Sequence, residues 1–165
     1  MTKFLKVAMV FAVLLVSASH YANSTCKSKG ETDSLSGKPV EKKFVEKKKS
    51  DHSYWGDVMN AIIQVESGGN SKAVNGKYVG AMQIAPIVVK DCNSILLKRN
   101  IDKRYKLSDR YSVSKSKEMF LLIQSQYNPS KNIEKGIRIW NGGCNYRVSS
   151  TNGYLRKVLK TLKNV

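Results

Sequence analysis

One carboxylate stands where an ordinary helix would place a hydrocarbon. Trp55, Val58, Met59, Ile62, Ile63 and Glu66 recur at helical spacing, so Glu66 is expected on the same apolar face as Ile62 and Ile63. A carboxyl on such a face loses water, and loss of water penalises its charged form and raises its pKa. An acid kept protonated near neutral pH can give a proton to a leaving group and later take one back, which is general acid–base catalysis. The competing reading is a helix-end glutamate that reaches solvent.

The elements that must position this residue follow from the same periodicity. Asp51 or Ser53 can cap the first helix, and Gly68-Gly69 stops it just past Glu66. Between Lys72 and Ile84, Asn75-Gly76 sits inside AVNGKYVGAMQI, a hairpin signal with mild strand character on both sides. Pro86 then opens a helix expected over 87–97. Three further helices are marked by Met119, Phe120, Ile123 and Tyr127, by Ile133, Ile137 and Trp140, and by Leu155, Val158, Leu159 and Leu162. The fold class expected is therefore mainly α, with one small β-hairpin beside the glutamate-bearing helix, and no internal repeat is visible.

Three short segments in this order carry a resemblance. Glu66-Ser67-Gly68-Gly69, Gly80-Ala81-Met82-Gln83-Ile84 and Trp140-Asn141-Gly142-Gly143 resemble the motifs of the soluble lytic transglycosylases, with a goose-type lysozyme-like α+β fold, over roughly residues 53–160. The resemblance implies that Glu66 is the sole catalytic acid and that Ser67 beside it helps hold the carboxyl. It implies that Gly80, Met82 and Gln83 line the sugar groove, Gln83 offering an amide to the glycan. Asn141 would contact substrate near the acid, preceded by Trp140 where relatives often carry tyrosine, and Tyr154 would lie close to Glu66. The reaction implied is non-hydrolytic cleavage of peptidoglycan between N-acetylmuramic acid and N-acetylglucosamine, without cofactor or metal.

The residue inventory agrees with that chemistry. Hydrolysing a glycosidic bond normally takes two carboxyl groups. The downstream candidates, Asp91, Asp102, Asp109, Glu118 and Glu134, lie in no recognisable motif and on no evident apolar face. One carboxyl suffices when the substrate supplies its own nucleophile: Glu66 would protonate the glycosidic oxygen, then accept the proton of the muramoyl C6 hydroxyl as the ring closes to a 1,6-anhydro sugar. Gly142-Gly143 would let backbone approach a bulky glycan, and Tyr78, Trp140 and Tyr146 offer flat surfaces for sugar rings, although glycine pairs also end helices and single aromatics also pack in cores.

Residues 1–22 read as a secretory signal peptide: Lys3 and Lys6, the apolar run from Val7 to Val16, then Ser17-Ala18-Ser19, with cleavage expected between Ser19 and Asn23. The run is shorter than the roughly 20 residues of a spanning helix. Asn23-Ser24-Thr25 before Cys26 lacks the aliphatic and small residues of a lipid-attachment signal, so a secreted or periplasmic protein without a lipid anchor is expected. Residues 23–50 form a lysine-rich linker, with eight Lys and four acidic residues over 27–50. Residues 51–165 form the lysozyme-like domain. Secretion places Cys92 and Cys144, which both flank groove motifs, in an oxidising compartment, and a disulfide between them is expected.

The 165-residue chain carries 29 Lys and Arg against 12 Asp and Glu, a net charge of +17, and a polyanionic partner is expected. The segment from Asp51 onward alone holds 19 basic and eight acidic residues. Peptidoglycan glycan strands, and anionic wall polymer attached to them, fit an exported protein better than nucleic acid does, for which no recognition motif is present. A monomer is expected. A cysteine endopeptidase would need a histidine near its thiol, and His52, at the domain edge, is the sole histidine beyond the signal. A metal hydrolase lacks a ligand cluster. Two alternatives to the transglycosylase stay open: a water-using muramidase on the same fold, and a non-catalytic basic module that binds wall or other polyanion.

Overall fold

The computed structural model describes residues 51–164. The signal peptide and linker expected from the sequence, and Cys26, lie outside these residues. Five helices carry the fold: α1 (Asp51–Ser67), α2 (Pro86–Lys98), α3 (Val113–Tyr127), α4 (Ile133–Gly142) and α5 (Val148–Leu162). Two short strands, β1 (Val74–Asn75) and β2 (Tyr78–Val79), pair antiparallel between α1 and α2, with Val74 opposite Val79 and Asn75 opposite Tyr78. Mainly helical architecture with one hairpin is thus as the periodicity indicated, and Gly76-Lys77 is the two-residue hairpin loop. No helix among the described residues is long and apolar enough to cross a membrane.

Local chemistry explains the boundaries. Ser53 lies inside α1, and Asp51 sits in its first turn, where a negative charge is favoured. Pro86 occupies the first turn of α2, where its missing N–H is not needed. Ser112 and Asn132 cap α3 and α4, each side chain accepting the backbone N–H three residues on. A short 3₁₀ helix, Leu107–Tyr111, was not visible in the sequence, since LSDRY shows neither period.

The core forms where α1 crosses the middle of the molecule. Trp55, Met59 and Ile62 are fully buried with Phe120, Met119, Met82, Ile84, Ile137 and Val158. Trp55 meets Phe120 edge-on at 5.5 Å between ring centroids, and Phe120 in turn contacts Trp140 at 5.2 Å. Gly136 is required here, because a Cβ on it would lie 2.7 Å from the Trp55 ring. A buried amide pair fastens the α3–α4 turn: Asn128 donates to Gln124 Oε1 and to the Asn132 carbonyl, and Gln124 donates to the Gly136 carbonyl.

The expected Cys92–Cys144 disulfide is not formed. Cys92 is a free, fully buried thiol on the inner side of α2, donating to the Met119 carbonyl at 3.7 Å, and burial pushes its pKa up. Cys144 is disulfide-bonded, but not to Cys92. Both cysteines flank motif segments in sequence, yet helical phase turns Cys92 into the core, and nearness to a motif says nothing about which way a side chain faces.

Candidate active site

Glu66 stands in the last turn of α1, and two glycines end the helix immediately after it. Gly68 and Gly69 adopt φ of +60° and +89°, conformations that suit glycine, and their N–H groups bond to the carbonyls of Gln64 and Ile63. The next residue after Glu66 ties that end down. Ser67 donates its hydroxyl to the Ala81 carbonyl at 2.9 Å, joining α1 to the segment after the hairpin. Ser67 therefore holds the helix end that presents Glu66 rather than the carboxyl itself.

The Glu66 carboxyl has a partner from the far end of the described chain. Tyr154, buried on α5, donates its hydroxyl to Glu66 Oε1 at 2.7 Å. Burial raises the Glu66 pKa from 4.5 to about 7, and the tyrosine hydroxyl pulls in the opposite direction with less force. Burial and the neighbouring carboxylate together hold the Tyr154 phenol well above its usual range, so it remains a donor. Glu66 as a whole is only half-buried. The combination is a carboxyl that is poor in water, oriented by one neutral donor and still reachable from outside, which suits proton donation near neutral pH.

The loop of Gly80, Met82 and Gln83 is built on its own backbone. Gly80 has φ of +79°, and a Cβ there would lie 1.9 Å from the Arg110 carbonyl oxygen, so no other residue fits. Arg110 in turn donates Nη1 to the carbonyls of Lys77 and Ile84, both at 3.1 Å, locking the 3₁₀ helix onto the hairpin. Met82 is fully buried and belongs to the core rather than to a groove wall. Gln83 takes φ of +47°, and its amide nitrogen donates to the Gly80 carbonyl at 2.9 Å and more weakly to that of Ala73. That nitrogen braces the turn.

Trp140 and Asn141 lie at the end of α4. Trp140 is half-buried against Phe120. Asn141 is also half-buried, and its side-chain oxygen is enclosed without a hydrogen-bond partner, a cost that a bound donor would remove. Gly142, which follows, serves the protein's own packing: a Cβ on it would meet Tyr146 and Thr151 at under 3 Å. Tyr78 is half-buried on β2 with the Lys77 ammonium 5.4 Å from its ring centroid, and Tyr146 packs on the core.

Most of the other acids among the described residues are engaged elsewhere. Glu118 pairs with Lys103, Asp109 with Lys115, and Glu134 with Arg138. Asp91 accepts the Tyr127 hydroxyl at 2.9 Å, and Asp102 is exposed after α2. Asp57 shares α1 with Glu66, but nine residues put it on the opposite face and about 13 Å along the axis. Among the described residues no three histidine, cysteine or acidic side chains group as metal ligands.

Sequence reasoning missed Arg110 and Arg138. Nothing in a single sequence distinguishes an arginine that bonds backbone from one in solvent. No protein-family model, curated protein or solved structure matches this chain.

Proposed function

We propose that this protein is a lytic transglycosylase with a lysozyme-like fold, cleaving the bond between N-acetylmuramic acid and N-acetylglucosamine in peptidoglycan. The observation that carries the proposal is the Glu66–Tyr154 pair, in which burial lifts the carboxyl to a pKa of about 7. Its support is the engagement of Asp91, Asp109, Glu118 and Glu134 in ion pairs and hydrogen bonds away from Glu66, with Asp57 and Asp102 exposed. A hydrolase would need a second carboxyl to activate water or attack the sugar.

In the proposed reaction Glu66 gives its proton to the glycosidic oxygen as the bond to the muramoyl anomeric carbon breaks. The carboxylate so formed is stabilised by the Tyr154 hydroxyl, then takes the proton from the muramoyl C6 hydroxyl as that oxygen bonds to the anomeric carbon. Glu66 returns protonated, the glycan is cut and a 1,6-anhydro ring is left. The Asn141 side-chain oxygen, enclosed and unpaired, would accept an N–H from an acetamido group of the sugar. The surplus positive charge would favour anionic wall polymer on the same strands.

Mass spectrometry of purified sacculi digested with the protein tests this. Muropeptides ending in anhydromuramic acid, lighter by one water than hydrolysed ones, are expected. Reducing-end muropeptides as the main product would show that water attacks and make the protein a muramidase. Binding to sacculi without any cleavage would make it a wall-binding module.

A further inference from the structure

Arg138 is the one arginine among the buried polar residues, 5% exposed, and it sits on α4 three residues before Asn141. Its Nη1 donates to the Val148 carbonyl at 3.0 Å and to Thr151 Oγ1 at 2.7 Å, and its Nη2 donates to Asn152 Oδ1 at 2.9 Å. Glu134, one turn earlier on α4, accepts from Nε and Nη2. Three of the four partners therefore lie in the first turns of α5. Arg147 at the α5 N-cap makes no side-chain cap bond, and the Arg138 guanidinium ties this end of the helix to α4 through oxygen acceptors, leaving its free N–H groups untouched.

This placement runs against simple helix electrostatics. A helix N-terminus carries partial positive charge and favours anions, whereas here a buried cation is brought against it. Burying a guanidinium also requires that its donors be matched, which the fork geometry achieves across two helices. Thr151, its shortest partner, lies one turn before Tyr154, so both are on the inner side of α5. Fixing Thr151 fixes the azimuth and height at which Tyr154 meets α1.

We propose that Arg138 is a positioning residue for Glu66, acting through the first turns of α5 to set the Tyr154 hydroxyl on the carboxyl. The role in catalysis rests on the reading of Glu66 as the acid, but the effect on the carboxyl does not.

The test is carboxyl-carbon NMR titration of Glu66 in the full chain, alongside kinetics on sacculi, for Arg138→Lys, Thr151→Val, Tyr154→Phe and the double variant Arg138→Lys/Tyr154→Phe. If Arg138 acts through Tyr154, Arg138→Lys weakens the one hydrogen bond that lowers the Glu66 pKa, and the midpoint moves up from about 7, as in Tyr154→Phe but less. Cleavage should fall about threefold in kcat with KM within about twofold, less than in Tyr154→Phe, and the double variant should be no worse than Tyr154→Phe alone. Thr151→Val should move both readouts the same way by a smaller step, and it carries the test if Arg138→Lys does not fold. Glu134→Gln, which leaves the bonds to α5 in place, should change neither. A midpoint that stays put or falls towards 4.5 would overturn the proposal, the latter because general loosening admits water. So would losses that add in the double variant. If wild-type protein does not cleave, the titration alone decides, and the failed activity counts against the transglycosylase reading instead.

Discussion

Two glutamate–tyrosine contacts occur among the described residues, and they are held in opposite states. Tyr154 donates to Glu66 at 2.7 Å, and Tyr105 donates to Glu118 at 3.3 Å. Glu66 is raised to a pKa of about 7, whereas Glu118 is lowered below its ordinary value. The tyrosine hydroxyl acts in the same direction in both. What differs is the Lys103 ammonium paired with Glu118, whose side chain stays 33% exposed, against burial at Glu66, which forms no ion pair among the described residues. A phenol therefore orients a carboxyl without deciding its charge; water and cations decide that.

The sharpest way to break the comparison is to neutralise each acid. Glu66→Gln should reduce release of muropeptides by roughly 10³-fold or more while the protein still binds sacculi, the range expected for loss of a general acid. Glu118→Gln should leave the rate within about twofold, since its partners tie a loop to α3 and not to the site. Equal losses would show that the two pairs share the chemistry.

Next in size is the pH dependence. On the proposed mechanism protonated Glu66 is the active form, so the rate should fall about tenfold per pH unit above its pKa of about 7. Removing the tyrosine hydroxyl removes the interaction that lowers that pKa, so Tyr154→Phe should carry the falling limb to higher pH and reduce the plateau about tenfold. Tyr105→Phe should shift nothing in the profile.

Stability should separate the pairs more gently. Glu66 has a folded pKa above its unfolded value, so the folded state is weakened as pH rises from about 4.5 through about 7, and the cost is complete above that. Glu66→Gln should therefore raise the unfolding free energy at pH 8 by on the order of 1–2 kcal/mol after allowance for partial exposure, seen as a higher melting temperature, and have little effect at pH 4. Glu118 is the reverse case. Its contribution is present above the unfolded pKa and is lost as pH falls through the lowered folded pKa. Glu118→Gln should cost about 0.5 kcal/mol at neutral pH and nothing in strong acid.

The smallest effect sharpens the cause. Lys103→Met removes the cation that does most to lower Glu118, and its carboxyl should titrate higher, in the direction of Glu66 but without reaching it, because solvent access remains. Carboxyl-carbon NMR across the titration distinguishes the two carboxyls.

What the sequence made legible follows from what periodicity can carry. The helix bearing Glu66 was readable because Trp55, Val58, Met59, Ile62 and Ile63 mark one face, and all five are buried. The hairpin was readable from Asn75-Gly76. Contact across distance was not: Glu66 and Tyr154 are 88 residues apart, and no spacing rule brings them together. Their pairing was expected only through the resemblance. Cys92 was misassigned because its place on the inner side of α2 depends on where α3 packs. Gln83 and Met82 sit in a motif, yet the first braces its own turn and the second fills the core, since a motif fixes residue order and not the direction of side chains.

The bond between Glu66 and Tyr154 also bears on when a chain becomes able to react. It joins α1 to α5, the last helix of the described residues, so it is among the contacts of longest sequence separation in the molecule. During synthesis α1 emerges first and carries a solvated glutamate of ordinary acidity. Only after α5 has been made and docked does that carboxyl lose its water and gain its tyrosine. On the proposed mechanism an incomplete chain would be inert, because the raised acid does not form until α5 has docked.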